Sequence, residues 1–437
     1  MKNVSAKLLL GSTIAAIMIS GCGDTAKAVG TTDVKKAPMA SSAFATKPAS
    51  DKTIIAKSVK EDISAITPNS PLWNDAQFSN VALYPQTTVM TNDKEENRLN
   101  AGRKAVVAKV AALQDGKNLA LAVIWEDKGE NSNNGKCTDT YSDGIAVQFA
   151  SNVDNVEKLP YIGMGSEGRE VAIYLKKVQY NVFEPNGKGV VETQVNPHQT
   201  PYFHKELADY NDKVVALGSD NYERKFVSAG FRSLTEIKDG TSASKMEMYR
   251  IKDYGWIATI VRPLKDAYAT LGASAPIALA LWDGSKLNRN GSKYLSGWNA
   301  VVVTSEDAKL VEALTVNVKG DIVNGEAKAV ENCASCHNFE GAKKRGYDIS
   351  NYTAPDLSNI GGYATAAYIK ESILDPNAVV VPGYNQNAHS ATPWYSVVDG
   401  KRISMMPAFD YLDPKDVTDI VAFMQTLKAP LEVKKDK

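Results

Sequence analysis

The chain is poor in the residues that build metal clusters and disulfide scaffolds. Its 437 residues include four cysteines and four histidines. Four thiols cannot supply both an iron–sulfur cluster and anything else, so cluster chemistry is excluded once any cysteine has another use. The same scarcity excludes a disulfide-stapled fold. Charge of one sign is missing too: 50 basic residues balance 50 acidic ones, which gives no reason to expect a nucleic-acid partner. No apolar run is long enough to span a bilayer. There is no G-x-G-x-x-G opening a helix, no P-loop, no H-E-x-x-H and no G-x-S-x-G elbow, and no repeat period is visible.

Two of the four cysteines stand in Cys333-Ala334-Ser335-Cys336-His337, a C-x-x-C-H motif. Thiols at that spacing can each add to a vinyl group of one haem, and the adjacent imidazole then reaches the iron, so the motif reads as a c-type haem attachment site. A zinc reading would need a second Cys/His pair, and neither Cys22 nor Cys137 forms one. Downstream lies Met405-Met406-Pro407, and a thioether in a loop after the haem site is the expected sixth ligand. Met406, directly before the proline, is the expected ligand, with Met405 its neighbour. Asp321 to Val330 reads as a helix leading into the haem turn, and Ala354-Pro355-Asp356-Leu357 as an extended loop. Asp413-Pro414 caps a final helix whose Val417, Ile420, Val421, Met424 and Leu427 form an apolar stripe. The segment from Ala313 to the end resembles a class I cytochrome c, carried by "ILDPNAVVVPGY" and "MMPAFDYLDPKDVTDIVAFMQTLK".

The N-terminus carries an address. Lys2 and Lys7 precede a short apolar run from Leu8 to Ile19, which fits a signal peptide. The run ends in Ile19-Ser20-Gly21-Cys22, which resembles a bacterial lipobox and makes Cys22 the expected lipidated first residue of an exported protein. Removing residues 1–21 would take away two lysines and no acids, leaving 48 basic against 50 acidic residues. Residues 23–52, rich in Ala, Thr, Ser and Lys, read as a flexible tether. The remaining Cys137, in a polar loop, reads as an ordinary thiol. Four segments are expected: 1–21 signal peptide, 22–52 tether, 53–312 a central domain and 313–437 a cytochrome c domain.

The central domain reads as mainly β. Short runs rich in Val, Ile, Ala and aromatics lie at 105–112, 119–125, 144–149, 171–175, 256–261, 277–282 and 298–304, with turns such as Asp115-Gly116 and Asp283-Gly284. Many short strands with few helical stripes predict an antiparallel β-sandwich, with one helix near 205–211. The fold class expected for the whole chain is thus a β-sandwich followed by a small all-α domain.

A series of motifs in the central domain resembles a known family. "PLWNDAQFSNVALYPQ", "KNLALAVIWEDKGEN", "YSDGIAVQFA", "PYIGMGSEGREVAIYLKK", "AGFRSLT", "YGWIATIVRPL" and "PIALALWDGSKLNRNGSKYLSGW" occur in this order. They look like the haem-b-binding subunit of ethylbenzene dehydrogenase and the gamma subunits of dimethyl sulfide dehydrogenase and its chlorate and selenate reductase relatives. The resemblance implies a sandwich holding one noncovalent b haem through a Met and a Lys, and electron transfer with a molybdenum/iron–sulfur partner. The Met maps to Met164, between Gly163 and Gly165, and the Lys to Lys293; flanking glycines would let the backbone approach a flat macrocycle. An amine ligates iron only when deprotonated, so its site must depress its pKa. His198 and His204 are the competing ligands, and Arg262 is a candidate partner for haem propionates.

The expectation is a lipid-anchored di-haem electron-transfer protein on the periplasmic or cell-surface side of a bacterial membrane. One c haem and one b haem would relay electrons between molybdenum/iron–sulfur oxidoreductase subunits, or other cytochromes, and a second carrier. The chain would not itself be an enzyme. The alternative is a tethered cytochrome c whose sandwich binds carbohydrate or another ligand, with Tyr202, Tyr210 and Tyr222 on the binding face. A third reading, an enzyme at an open haem coordination site, needs a missing sixth ligand, and Met406 argues against it.

Overall fold

The computed structural model describes residues 53–87, 94–131, 141–151, 153–178, 223–230, 233–237, 245–339, 354–380 and 395–432. The signal peptide, the tether, Cys22, Cys137, His198, His204, Tyr202, Tyr210, Tyr222 and the helix expected at 205–211 lie outside them.

Strands come first along the chain: β1 (Thr53–Ser58), β2 (Ser79–Pro85), then, after helix α1 (Lys94–Asn100), β3 (Val106–Gln114), β4 (Asn118–Glu126), β5 (Gly144–Ala150) and β6 (Val171–Lys177). They continue as β7 (Glu223–Ser228), β8 (Thr235–Glu236), β9 (Lys245–Ile251), β10 (Gly255–Pro263), β11 (Ser274–Trp282), β12 (Tyr294–Ser296) and β13 (Asn299–Val302). Hydrogen bonding runs in the order β8-β7-β6-β5-β11-β12-β2-β3-β4-β10-β9. The neighbours in this order are antiparallel wherever their register is described, as in Trp256 opposite Trp125 and Ala146 opposite Ala280. β1 bridges the two halves in parallel, with Ile54 opposite Val301 and Ala56 opposite Ala112. One core lies between the halves: Leu121, Val123, Trp256 and Ile260 from one, Ile145, Val147, Phe149, Leu279 and Tyr174 from the other. The sandwich is therefore folded from one continuous sheet.

Its outer faces are not left to solvent. All nine residues of β11 and the central seven of β4 are buried, a pattern expected only where both faces of a strand are covered. On one side, residues 59–78 lay Ile63, Ile66, Trp73 and Phe78 over Ala120, Ala122 and Ile124. Trp73 sits in a short 3₁₀ turn started by Ser70, and its indole N–H donates to the Thr67 carbonyl at 3.1 Å. On the other side, Ala146, Ala278, Ala280, Trp282 and Leu295 join one continuous cluster with residues of the C-terminal helices.

That C-terminal part is helical, as the sequence implied: α2 (Ala308–Thr315), α3 (Ile322–Asn332), α4 (Ile360–Tyr363), α5 (Ala366–Leu374) and α6 (Pro414–Met424). It adds a two-stranded hairpin, β14 (Tyr395–Val398) and β15 (Lys401–Ser404), turned at Asp399-Gly400 with positive φ at both. Asp321 caps α3 through Val323 and Asn324, and Asp413 caps α6 with Pro414 at its first position. Val417, Ile420, Val421, Met424 and Leu427 are all buried. The expected boundary at 312/313 lies inside α2; residues 316–321 form the non-helical stretch between that helix and α3. Among the described residues no helix is long and apolar enough to cross a membrane.

Candidate functional site

Two sites line the cluster shared by the sandwich and the helices. The first is the C-x-x-C-H turn. Helix α3 ends at Asn332, and the His337 amide donates to the Cys333 carbonyl at 2.9 Å, closing a tight turn. Cys333 is buried, Cys336 is exposed, and no disulfide joins them. Burial and the neighbouring Cys336 push the Cys333 thiol up to about 11. His337 is buried, and its Nδ1 lies 2.8 Å from the Pro355 carbonyl oxygen. A carbonyl only accepts, so Nδ1 carries the proton and Nε2 keeps its lone pair for a metal. Burial lowers the imidazole's pKa, against the raising effect of the Pro355 carbonyl and of Asp356. Sequence reading assigned Pro355 only to an extended loop. Its role as the histidine's orienting partner depends on a backbone meeting 18 positions away and has no local signature.

Met406 is half-buried and packs against the shared cluster, whereas Met405 is 59% exposed. The Met406 amide donates to Ser404 Oγ at 3.1 Å, and the Phe409 amide donates to the Ile373 carbonyl at 2.9 Å, so both ends of the loop are held.

The second site lies on the outer face of β5, β11 and β12. Lys293 directly precedes β12, in register to share a side with Leu295, and Leu295 belongs to the shared cluster. The Lys293 amine lies 5.6 Å from the centre of the Trp282 ring, on that same face. It donates to the Asn290 carbonyl at 3.3 Å, which also accepts from the Trp282 indole at 3.2 Å. Lys293 is 5% exposed, and burial lowers its pKa to about 7. The turn that delivers it contains two non-glycine residues in the left-handed region, Leu287 and Asn290.

Met164 packs against the same cluster and is half-buried. Its φ is +79°, which is rare for a residue with a side chain and costs of order 1–3 kcal/mol. Such strain persists where surrounding structure enforces it. The Gly165 amide donates to the Tyr161 carbonyl at 2.8 Å, and the Gly230 amide to the Met164 carbonyl at 2.8 Å. The flanking glycines are required by close packing around the loop itself. A Cβ on Gly163 would meet the Tyr161 ring at 2.5 Å, and one on Gly165 would meet the carbonyls of Arg169 and Ser228 at 2.9 Å. They let the loop close on its own sheet.

Arg262 does not belong to this site. It alternates along β10 with Val261 and shares the inner side with Trp256, Ala258 and Ile260. There it is fully buried, ion-paired with Asp266 at 3.3 Å and 4.9 Å from the centre of the Phe149 ring. The expectation that it faces propionates is overturned, because its charge is already matched inside the sandwich. A cleft of about 70 Å³ between Tyr84, Trp298 and α4 is lined by neither Met164 nor Lys293 and is too small for a porphyrin.

Comparison with known proteins agrees with this layout. The family profile described as ethylbenzene dehydrogenase matches residues 70–294. The chain belongs to the ethylbenzene dehydrogenase family. A cytochrome c profile matches residues 322–428, so this family member carries a fused cytochrome c domain. No curated protein matches the chain. Among solved structures, it is similar to a carbohydrate binding module family 9 from Caldicellulosiruptor kristjanssonii in complex with cellotriose, at 9% identity over 59% of this chain and 96% of that one, with a TM-score of 0.28. The same module in complex with glucose gives 10% identity, 59% and 98% coverage and a TM-score of 0.29. A putative carbohydrate-binding protein from Bacteroides uniformis gives 9% identity, 60% and 96% coverage and a TM-score of 0.27. At such scores these likenesses say nothing about what this ethylbenzene dehydrogenase family member binds.

Proposed function

We propose that the chain is a di-haem electron-transfer protein with no catalytic centre of its own. It relays electrons between a molybdenum-dependent oxidoreductase on other chains, or another cytochrome, and a second carrier. Cys333 and Cys336 hold the c haem covalently, His337 is its proximal ligand and Met406 its distal one. Met164 and Lys293 hold a noncovalent b haem at the sandwich face. Cys22 is the lipidation site of an exported protein, which the lipid anchor keeps at a membrane surface.

The observation that most supports this reading is Lys293. A lysine 5% exposed, with no acidic partner among the described residues and its pKa lowered to about 7, is costly unless its neutral amine is used. Its neighbours Trp282 and Leu295 belong to the cluster against which Met164, held in a strained conformation, also packs. Buried lysines usually have an ion-pair partner; this one has a carbonyl and an indole face.

Bound haem would supply one-electron chemistry, its potential set by the thioether and nitrogen groups that hold it. The protein's part is to position ligands and exclude water. The Pro355 carbonyl holds the His337 tautomer, the Asn290 carbonyl orients the Lys293 amine, and Trp282 and Leu295 keep that amine dry.

A pyridine haemochrome spectrum tests the proposal. Extractable b haem plus covalent c haem is expected, with Met164→Ala and Lys293→Ala each lowering b-haem content and leaving c haem intact. Full c haem without extractable haem, after expression with ample haem supply, refutes the b site and favours a ligand-binding sandwich. Extractable haem with six-coordinate spectra in both variants refutes the two ligands, and His198 and His204 are then the next to test.

A further inference from the structure

Three acids from distant parts of the sequence meet at one rim of the sandwich. Asp127 follows β4, Asp143 precedes β5, and Asp283 follows β11. One carboxylate oxygen from each lies within 4.8 Å of the other two. β4 belongs to one half of the sandwich and β5 and β11 to the other, so the group spans the gap between halves.

The loops around it are closely fitted. Asp143 accepts from the Asn131 and Gly284 amides, both at 2.8 Å. Asp127 Oδ1 accepts from the Gly129 amide at 2.9 Å. Asp283 Oδ1 accepts from the amide and hydroxyl of Ser285, and its Oδ2 pairs with Lys286 at 3.1 Å. The Asn131 side chain packs beside Gly284, where an added Cβ would lie 2.6 Å from the Asn131 Cβ.

Hydrogen bonds leave two acceptors over. Asp127 is 7% exposed, and its Oδ2 is fully buried without a hydrogen-bond partner. The Asn131 Oδ1, from outside the acidic group, is likewise buried and without a partner. It faces the Asp127 side: both Asn131 Oδ1 and Asp127 Oδ1 flank the same point above Gly129, at 3.0 and 3.4 Å. Buried acceptors without donors cost free energy that a cation can return. Three cations act on the group: Lys286 pairs with Asp283 at 3.1 Å and also acts on Asp127, Arg250 acts on Asp127, and Arg103 acts on Asp283. None of them donates a hydrogen bond to Asp127 Oδ2. Burial first, and then a neighbouring acid, raise the pKa of both Asp127 and Asp143.

We infer that Asp127, Asp143, Asp283 and Asn131 form a binding site for a hard divalent cation, calcium by its chemistry. The donors are oxygens only, from carboxylates and a side-chain amide, with no thiolate or imidazole among them. That set suits calcium rather than zinc. A cation here would tie the two halves together at one rim. It would also fix the turn from Asp283 to Lys293. The inference does not depend on the b haem.

The test uses the full chain with its haem. After treatment with EDTA and desalting, calcium is titrated by calorimetry, retained metal is counted by mass spectrometry, and thermal unfolding is followed with and without 1 mM calcium. One calcium per chain is expected, with a rise in Tm of several degrees that Asp127→Asn abolishes. An unchanged Tm and no retained metal in the wild type would overturn the inference, and this arm does not depend on the variant folding. A calcium-dependent rise of equal size in Asp127→Asn would overturn it as well.

Discussion

Arg169 and Glu371 join the loop that carries Met164 to helix α5 of the cytochrome c domain. Both terminal guanidinium nitrogens donate to the carboxylate at 2.7 Å, a two-pronged pair with side chains only 16% and 19% exposed. Arg169 also closes the Ser166–Arg169 turn just after Met164, and three residues before Glu371 the Tyr368 ring meets Tyr161 with centres 5.1 Å apart. Fully exposed pairs contribute about 0–1 kcal/mol, whereas removing one partner of a fully buried pair costs about 3–5 kcal/mol. With roughly one-fifth of each side chain exposed, Arg169→Met should cost about 2 kcal/mol, because it leaves the carboxylate largely buried and unmatched. Glu371→Gln should cost about 2 kcal/mol for the same reason applied to the guanidinium. The double variant should cost less than the sum by about 1–2 kcal/mol, since neither charge is then stranded. Urea unfolding of the haem-loaded wild type, both single variants and the double variant measures each quantity. Single-variant costs below about 0.5 kcal/mol with no coupling would show the pair to be a solvated surface contact and would refute the reasoning.

Met406→Ala should lose the weak long-wavelength band that reports thioether–iron bonding and should lower the c-haem potential, while Met405→Ala keeps both; the reverse pattern moves the ligand by one residue. Asp419 is held down to about 2 by hydrogen bonds from Lys415, Asn324 and the Asp321 amide. A depressed folded value means that its stabilising effect is complete above the unfolded value of about 4 and disappears as pH falls through about 2. Chemical unfolding across that window should therefore be steeper in pH for the wild type than for Asp419→Asn, and identical slopes would reject the network's role. Cys22→Ser should release the protein from membranes; retention of that variant, with no acyl mass on the wild type, would reject the anchor.

Local chemistry was legible in the sequence, and chemistry assembled from distant parts was not. The C-x-x-C-H turn is readable because five consecutive residues carry its whole logic. The seven expected strands fall on β3, β4, β5, β6, β10, β11 and β13, because burial on both faces writes continuous apolar runs such as "NLALAVIWE". The strands missed are of another kind. β9, "KMEMYRI", places Lys245 and Glu247 among its partly exposed positions, and β12 has three residues. β2 alternates buried and half-exposed along all seven residues, a period-2 signal that could have been read. Lys293 was singled out through resemblance alone, and its burial depends on the β11–β12 pairing, which nothing local in the sequence marks. Asp127, Asp143 and Asp283 were invisible as a group because only strand order brings them together. Arg262 was misplaced for want of one test: its parity with Trp256, Ala258 and Ile260 along β10 already sends it to the inner side.

The way the sandwich and the cytochrome c domain meet bears on which function they serve. A cytochrome delivered to a surface by a binding module needs only a leash, and the two parts could move independently. An electron relay within one chain needs a fixed separation between its sites. Here the parts share one hydrophobic cluster and are joined at several separate places. The Thr87 hydroxyl donates to the Asp356 carbonyl at 3.1 Å, one residue from the carbonyl that orients His337. Asn359 donates to the Pro85 carbonyl at 3.1 Å, at the end of the strand that pairs with β12. The chain beyond α6 returns to the sandwich, where Ala105 donates to the Pro430 carbonyl and Glu432 to that of Ala105, each at 2.9 Å. These links attach to residues beside the proposed ligands on both sides, Pro355 near His337 and the β2–β12 pair near Lys293. Independent movement of the two parts would break all of them together, which makes a fixed relay the reading that the contacts favour over a tethered module.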